Sequence, residues 1–173
     1  MFGISRNRLT GISSALAMAL VLAPMLVTPA SAKGPVIHHV SAGGPDACEA
    51  INGPPSHPGC NGNFSLVANV YADGSVSGQY TDQFGHGDGG FHAVVDCVYI
   101  VGNIAWVSGV IKEGNLGTTD LAGVPVLTAV QDNGKSANDP PDRISYSFFT
   151  TTRCTSHVSL PLFDAPEGQV TVD

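Results

Sequence analysis

The residues best suited to chemistry stand together in one short segment, Gly85-His86-Gly87-Asp88-Gly89-Gly90-Phe91-His92. Imidazole and carboxylate donors in such a tight stretch can converge on zinc or copper. If Phe91 opens a strand, His92 points to the opposite face from Phe91 and shares that face with Asp96. His86 and Asp88 then lie on the glycine-rich loop before it. A metal site built on His86, Asp88 and His92 would need a third or fourth ligand, for which His38, His39 and His157 are candidates. The competing reading is a glycine-rich surface loop that happens to carry polar residues. Gly90-Phe91-His92 also resembles a fragment of the copper–zinc superoxide dismutase signature, but that family needs a histidine two positions on, where this chain has Val94.

Other chemistry has weaker support. The acidic loop Asp132-Asn133-Gly134 through Asn138-Asp139-Pro140-Pro141-Asp142 supplies oxygen ligands of the kind calcium takes, without helix-loop-helix calcium spacing. Asp and Asn are also ordinary turn formers. No Gly-x-Ser-x-Gly elbow occurs. Glu49, Glu113 and Glu167 fall in predicted loops and form no evident acid–base pair. Tyr99 and Trp106 face one another across a predicted hairpin. Such pairs either stabilise a sheet, by roughly 0.2–1 kcal/mol, or line a ligand cavity.

The elements that position these residues begin with residues 1–32. Arg6 and Arg8 precede an apolar run from Ile12 to Val27, and Ala30-Ser31-Ala32 offers a small-residue cleavage site. That pattern is a secretory signal peptide, which predicts a secreted, extracellular protein. Its removal leaves 141 of the 173 residues, 33–173, enough for one domain with a buried core. Two of the seven basic residues leave with it and all fourteen acidic residues stay, so the formal charge moves from −7 to −9. This balance disfavours nucleic acid and anionic lipid as partners. No second apolar run approaches the ~20 residues of a spanning helix, so no membrane insertion is expected.

Export also sets the meaning of Cys48, Cys60, Cys97 and Cys154. An oxidising compartment favours disulfides over zinc at these wide spacings. Three pairings are possible. The favoured one joins Cys48 to Cys60 across a short Gly/Pro-rich loop and Cys97 to Cys154 between two predicted strands. Each bridge would remove roughly 3–4 kcal/mol of unfolded-state freedom.

From residue 64 onward the hydrophobic pattern has the strand period of two, and no long helical pattern appears. Residues 33–63 form a loop-rich N-terminal arm with one strand, Val36–Val40. Phe64, Leu66, Ala68 and Val70 then alternate with polar neighbours, and Val76, Gly78 and Tyr80 alternate after the turn. A two-residue turn would mix the faces. A three-residue loop, Ala72-Asp73-Gly74 with Gly74 left-handed, sets Val70 opposite Val76 and Leu66 opposite Tyr80. A second hairpin, Phe91–Val101 and Ile104–Ile111, turns at Gly102-Asn103. It sets Tyr99 opposite Trp106, Cys97 opposite Ser108 and Val95 opposite Val110. Both of its faces are apolar, which predicts a central or doubly covered position. Further strands are predicted at Val124–Gln131, Arg143–Thr151 and Gln169–Val172, with a weaker one at Ser156–Leu160. The fold class is all-β: a single antiparallel up-and-down β-barrel or barrel-like sandwich of about eight strands, after the cleaved signal peptide.

Several of these stretches are similar to a group of small, uncharacterised exported bacterial β-domains: Asp73-Gly74-Ser75-Val76-Ser77-Gly78-Gln79-Tyr80, Val95-Asp96-Cys97-Val98, Gly102-Asn103-Ile104-Ala105-Trp106-Val107, Val130-Gln131-Asp132-Asn133-Gly134 and Pro140-Pro141-Asp142-Arg143-Ile144-Ser145. The resemblance implies an exported single β-domain and no catalytic residues. The histidine-bearing segment and the Cys48–Cys60 loop lie outside it.

The resulting expectation is a secreted, non-enzymatic β-domain, monomeric, with a binding or structural role toward an extracellular ligand or surface. The alternatives are a carrier barrel for a small apolar ligand and a metal-dependent enzyme at His86, Asp88 and His92, using zinc or another cation. Peptide mapping without reduction is expected to recover Cys97 linked to Cys154. A Cys48–Cys97 peptide would break the strand arrangement.

Overall fold

A computed structural model describes residues 33–45, 62–136, 138–165 and 167–173, with only the backbone of His86. Cys48 and Cys60 fall outside the described residues. The strands are β1 (Val36–Pro45), β2 (Asn63–Tyr71), β3 (Val76–Gln83), β4 (Gly89–Val101), β5 (Ile104–Leu116), β6 (Thr119–Asp120), β7 (Pro125–Gln131), β8 (Arg143–Ile144), β9 (Phe148–Phe149), β10 (Phe163–Asp164) and β11 (Gln169–Val172). All pair antiparallel in one curled sheet ordered β10-β8-β7-β5-β4-β3-β2-β1-β11. β6 folds back on β5, and β9 on β7. The fold is therefore all-β and barrel-like, as the alternation predicts. Among the described residues no helix is long and apolar enough to cross a membrane; strands are a separate matter.

The first hairpin has the predicted register, with Val70 opposite Val76 and Leu66 opposite Tyr80. Gly74 has φ +80°, which lets its N–H reach Tyr71 O at 2.8 Å while Tyr71 N–H donates to Ser75 O at 2.9 Å. A side chain at that φ would be strained, so the glycine sets the loop length and, through it, the face of every following residue.

The second hairpin keeps Tyr99 opposite Trp106 and Cys97 opposite Ser108, but Val95 faces Gly109 rather than Val110. The ladder shifts at Asp96, a β-bulge. Phe91, Ala93 and Val95 point to the core before the bulge, and Val98 and Ile100 pack against it after. The bulge thus switches strand parity and turns Cys97 outward. Gly109 permits this, because a Cβ there would stand 2.2 Å from Val94 O.

The outward Cys97 pairs with Cys154, whose Cα is 5.9 Å away, and closes a loop of 57 residues. That crosslink removes about 4 kcal/mol of unfolded-state freedom in the chain-entropy picture. Cys97, Cys154 and Leu127 form a small buried cluster, with Trp106 and Leu160 against it, that covers the outer face of β4–β5. The central, doubly covered position predicted for this hairpin is what the fold shows.

Three predicted elements differ. Ser156–Leu160 is not a strand. A one-turn 3-10 helix at Cys154–Ser156 ends at His157, which has φ +33°. The predicted loop after Glu113 is instead strand to Leu116, turning back through β6. Arg143–Thr151 is split into β8 and β9. Between them the Ser145 hydroxyl takes the Ala129 N–H at 2.8 Å, a side chain replacing a ladder bond. The register slips by one residue there, from Val130 opposite Ile144 to Leu127 opposite Phe148.

Curling brings β11 beside the segment that follows β7, and two carboxylates join them. Val170 N–H donates to Asp142 Oδ2 at 2.7 Å, and Val172 N–H to Asp132 Oδ2 at 3.1 Å. The other oxygens take local amides, Asn133 N–H on Asp142 Oδ1 and Gly134 N–H on Asp132 Oδ1. Asp142 is 7% exposed. Asp142→Ala should lower stability by about 3 kcal/mol, since it strands two amides that bond a charged acceptor. Asp139→Ala, in the exposed turn nearby, should change it by less than about 0.5 kcal/mol. Urea denaturation of the two variants checks this, and equal losses would refute the closing role of Asp142.

Candidate binding pocket at one end of the barrel

β3 carries its inward face to the end of the barrel through Tyr80 and Asp82, two positions apart and both buried. Alternation alone puts Asp82 on the face that Val76, Gly78 and Tyr80 establish. It is a carboxylate where an apolar residue would be the rule. From across the barrel, Ser147 reaches in from the slip between β8 and β9. Its hydroxyl donates to Asp82 Oδ2 at 2.5 Å and lies 2.6 Å from the Tyr80 hydroxyl. The Tyr80 hydroxyl also donates to Asp82 Oδ2, at 3.2 Å. Behind them Thr128 and Ser145 hydroxyls are 3.1 Å apart. A buried carboxylate needs such donors, because leaving it unsatisfied costs several kcal/mol.

This network forms the floor of a pocket of about 180 Å³. The walls are mainly rings: Phe64, Phe84, Tyr146 and Phe149. Phe84, Phe91 and Phe149 pack edge to face, with centroids 5.9–6.4 Å apart. Tyr80 meets Phe91 edge-on at 5.1 Å. These rings therefore hold one another in place. Among the described residues, no lysine, arginine, histidine or cysteine belongs to the lining.

The metal candidates are placed differently. His92 lies on β4 opposite Thr81 and Glu113, on the face away from the core residue Phe91. Asp88 follows a 3-10 turn at Gly85–Gly87, and its carbonyl accepts the Gly117 N–H at 2.8 Å. His38 and His39 sit at the other end of the sheet, against Val70 and Asn69. His38 Nδ1 lies 3.0 Å from Asp173 O, and His39 Nδ1 2.8 Å from Asn69 Oδ1. His157 stacks on Tyr99 at 5.1 Å. Among the described residues no three His, Cys, Asp or Glu side chains gather as a metal would require. The side chain of His86 lies outside that description. In the acidic loop all four oxygens of Asp132 and Asp142 accept backbone amides, and Asp139 Oδ2 accepts the Ser136 N–H at 2.8 Å. These carboxylates organise the loop and the sheet closure.

Tyr99 and Trp106 line no interior cavity. They lie on the outer face, Tyr99 being 37% exposed, and Trp106 donates its indole N–H to Val158 O at 2.8 Å. They anchor the stapled segment, a sheet-stabilising use of the pair. Sequence analysis missed Tyr80, Asp82 and Ser147. The legible signal was an acid continuing the apolar face of β3; no local pattern marks Ser147. Comparison with protein-family models, curated proteins and solved structures returns no match for the chain.

Burial, reinforced by the Asp82 charge, holds the Tyr80 hydroxyl well above the ordinary tyrosine value of 10.0. Below pH 10 both folded and unfolded chains keep this proton, and its contribution is fully present. Above it the unfolded chain ionises first, so the folded state loses about 1.4 kcal/mol per pH unit. Wild type should lose stability relative to Tyr80→Phe between about pH 10 and about pH 11. Parallel denaturation midpoints for the two proteins would show that the hydroxyl is not sequestered.

Proposed function

We propose that the chain is a secreted, non-enzymatic binding domain, and that its ligand seats in the ring-walled pocket over Asp82. One observation carries this reading. The carboxylate of Asp82 and the hydroxyls of Tyr80 and Ser147 converge where the sheet's inward face meets a pocket walled by rings. An apolar side chain at position 82 would stabilise the barrel at least as well. Polar groups converging in a concave apolar site are the usual signature of recognition. Among the described residues the lining offers no imidazole, amine or thiol to activate a hydroxyl, which favours binding over nucleophilic chemistry.

The carrier alternative would have to use the same pocket. Between the two ends the interior is filled by packed side chains, among them Val40, Leu66, Val95, Val107, Ile111 and Val130. Secretion rests on the charge and hydropathy pattern of residues 1–32.

An NMR fragment screen on the disulfide-bonded domain, residues 33–173, should give hits whose amide shifts map to Phe84 and Ser145–Phe149. Hits confined to the Tyr99–Trp106 surface, or no hits, would overturn the placement of the site.

A further inference from the structure

We propose that this pocket takes a small uncharged molecule with a ring-sized apolar body, which donates one hydrogen bond from an O–H or N–H group to Ser147 Oγ. The inference rests on the pocket being the binding site and adds the class of ligand. Tyr80, Ser145 and Ser147 each bring one hydroxyl proton to the polar floor. The Ser147 proton goes to Asp82 Oδ2 at 2.5 Å. The Tyr80 proton stays within the same trio, between Asp82 Oδ2 at 3.2 Å and Ser147 Oγ at 2.6 Å. The Ser145 proton goes to Tyr146 O at 2.9 Å. These three hydroxyls therefore have no proton left for a ligand. What remains is a lone pair. A hydroxyl oxygen has two, and Ser147 Oγ uses at most one of them, for Tyr80. Tyr80 and Ser145 are buried, whereas Ser147 is half-buried and lines the pocket. The free acceptor position is on Ser147.

Charge is selected against in both signs. Asp82 Oδ1 is fully buried and Oδ2 is already engaged by two hydroxyls. A cation would lose its water without reaching a free carboxylate oxygen. An anion brings no proton to Ser147, and among the described residues no basic side chain lines the wall to receive it. The rest of the wall, Phe64, Phe84, Tyr146 and Phe149 among it, rewards an apolar body. Size narrows the class further. A cavity of about 150 Å³ takes a benzene-sized body, and this pocket measures about 180 Å³. Drug-sized sites start at roughly 300 Å³. The fitting ligand is therefore one small ring or short branched chain carrying one hydrogen-bond donor.

Phenol and toluene have nearly the same size, and only phenol carries a donor. Each is titrated at pH 7, where phenol is uncharged, into the disulfide-bonded domain, residues 33–173, and followed by the amide shifts of Phe84 and Phe148–Phe149. Ser147→Ala should weaken phenol about fivefold and leave toluene unchanged within a factor of about two. Comparing the two ligands on one variant cancels any general loosening of the pocket. Tyr80→Phe is the second variant. It removes a proton that competes for Ser147 Oγ, so the preference for phenol over toluene should not fall. Dispersed amide spectra check the folding of both variants. Benzoate and benzylammonium should each bind at least about tenfold more weakly than phenol. An equal change for phenol and toluene in Ser147→Ala would overturn the hydrogen bond to Ser147 and leave the pocket standing as a site. Tighter binding of either charged probe than of phenol would overturn the uncharged class. Absence of shifts from every probe would overturn the ligand class as a whole, and the fragment screen then judges the pocket on its own.

Discussion

A curled sheet must do something with the free amides of its last strand, and the answer in this chain organises much of the molecule. β11 pairs with β1 on one side, where Val40 faces Val172 and Gly43 faces Gln169. Its remaining N–H groups, on Val170 and Val172, would be an open edge, which invites pairing with other chains. Asp142 and Asp132 take them instead. A carboxylate can bridge where strand register cannot, because it needs only position and not a matching ladder. The same oxygens order the loop after β7 and set the start of β8. Ser145 and Ser147 follow from there, so the closure helps to aim Ser147 at Asp82.

Energetics divide the barrel into two parts. The middle is apolar and filled, with alternating residues of β1 to β5 and β7 contributing to one cluster. Burial of that area dominates stability. The end near Asp82 departs from the pattern. There a carboxylate, two tyrosines and two serines occupy or border the inward face. Natural folds break the apolar rule most often where they bind or react. The outer side shows the opposite use of polar and aromatic groups. Trp106, Tyr99 and His157 pin the segment stapled by Cys97–Cys154 to the sheet.

How far the sequence carried depends on the range of the physics involved. Gly74 and the period of two determine the first hairpin to the residue, because both are local. The Gly102-Asn103 turn does the same for Tyr99 and Trp106. The bulge at Asp96 was not legible, since it depends on Gly109 of the partner strand letting Val94 approach. The split of Arg143–Thr151 was hidden for a similar reason. A serine hydroxyl outcompetes a ladder bond only when Ala129 is beside it.

The sequence alone therefore determined that this chain is strand-built and acidic, and it favoured the Cys97–Cys154 pairing among three, which the structure then showed. Alternation, turn chemistry and charge act within a few residues. Tertiary structure alone decided which polar residues meet. Tyr80, Asp82 and Ser147 converge because curvature brings β3 opposite the β8–β9 slip, and curvature is a property of the whole sheet. It also separated His92 from His38 and His39, which composition alone would let one group together, by placing them at opposite ends of the strands.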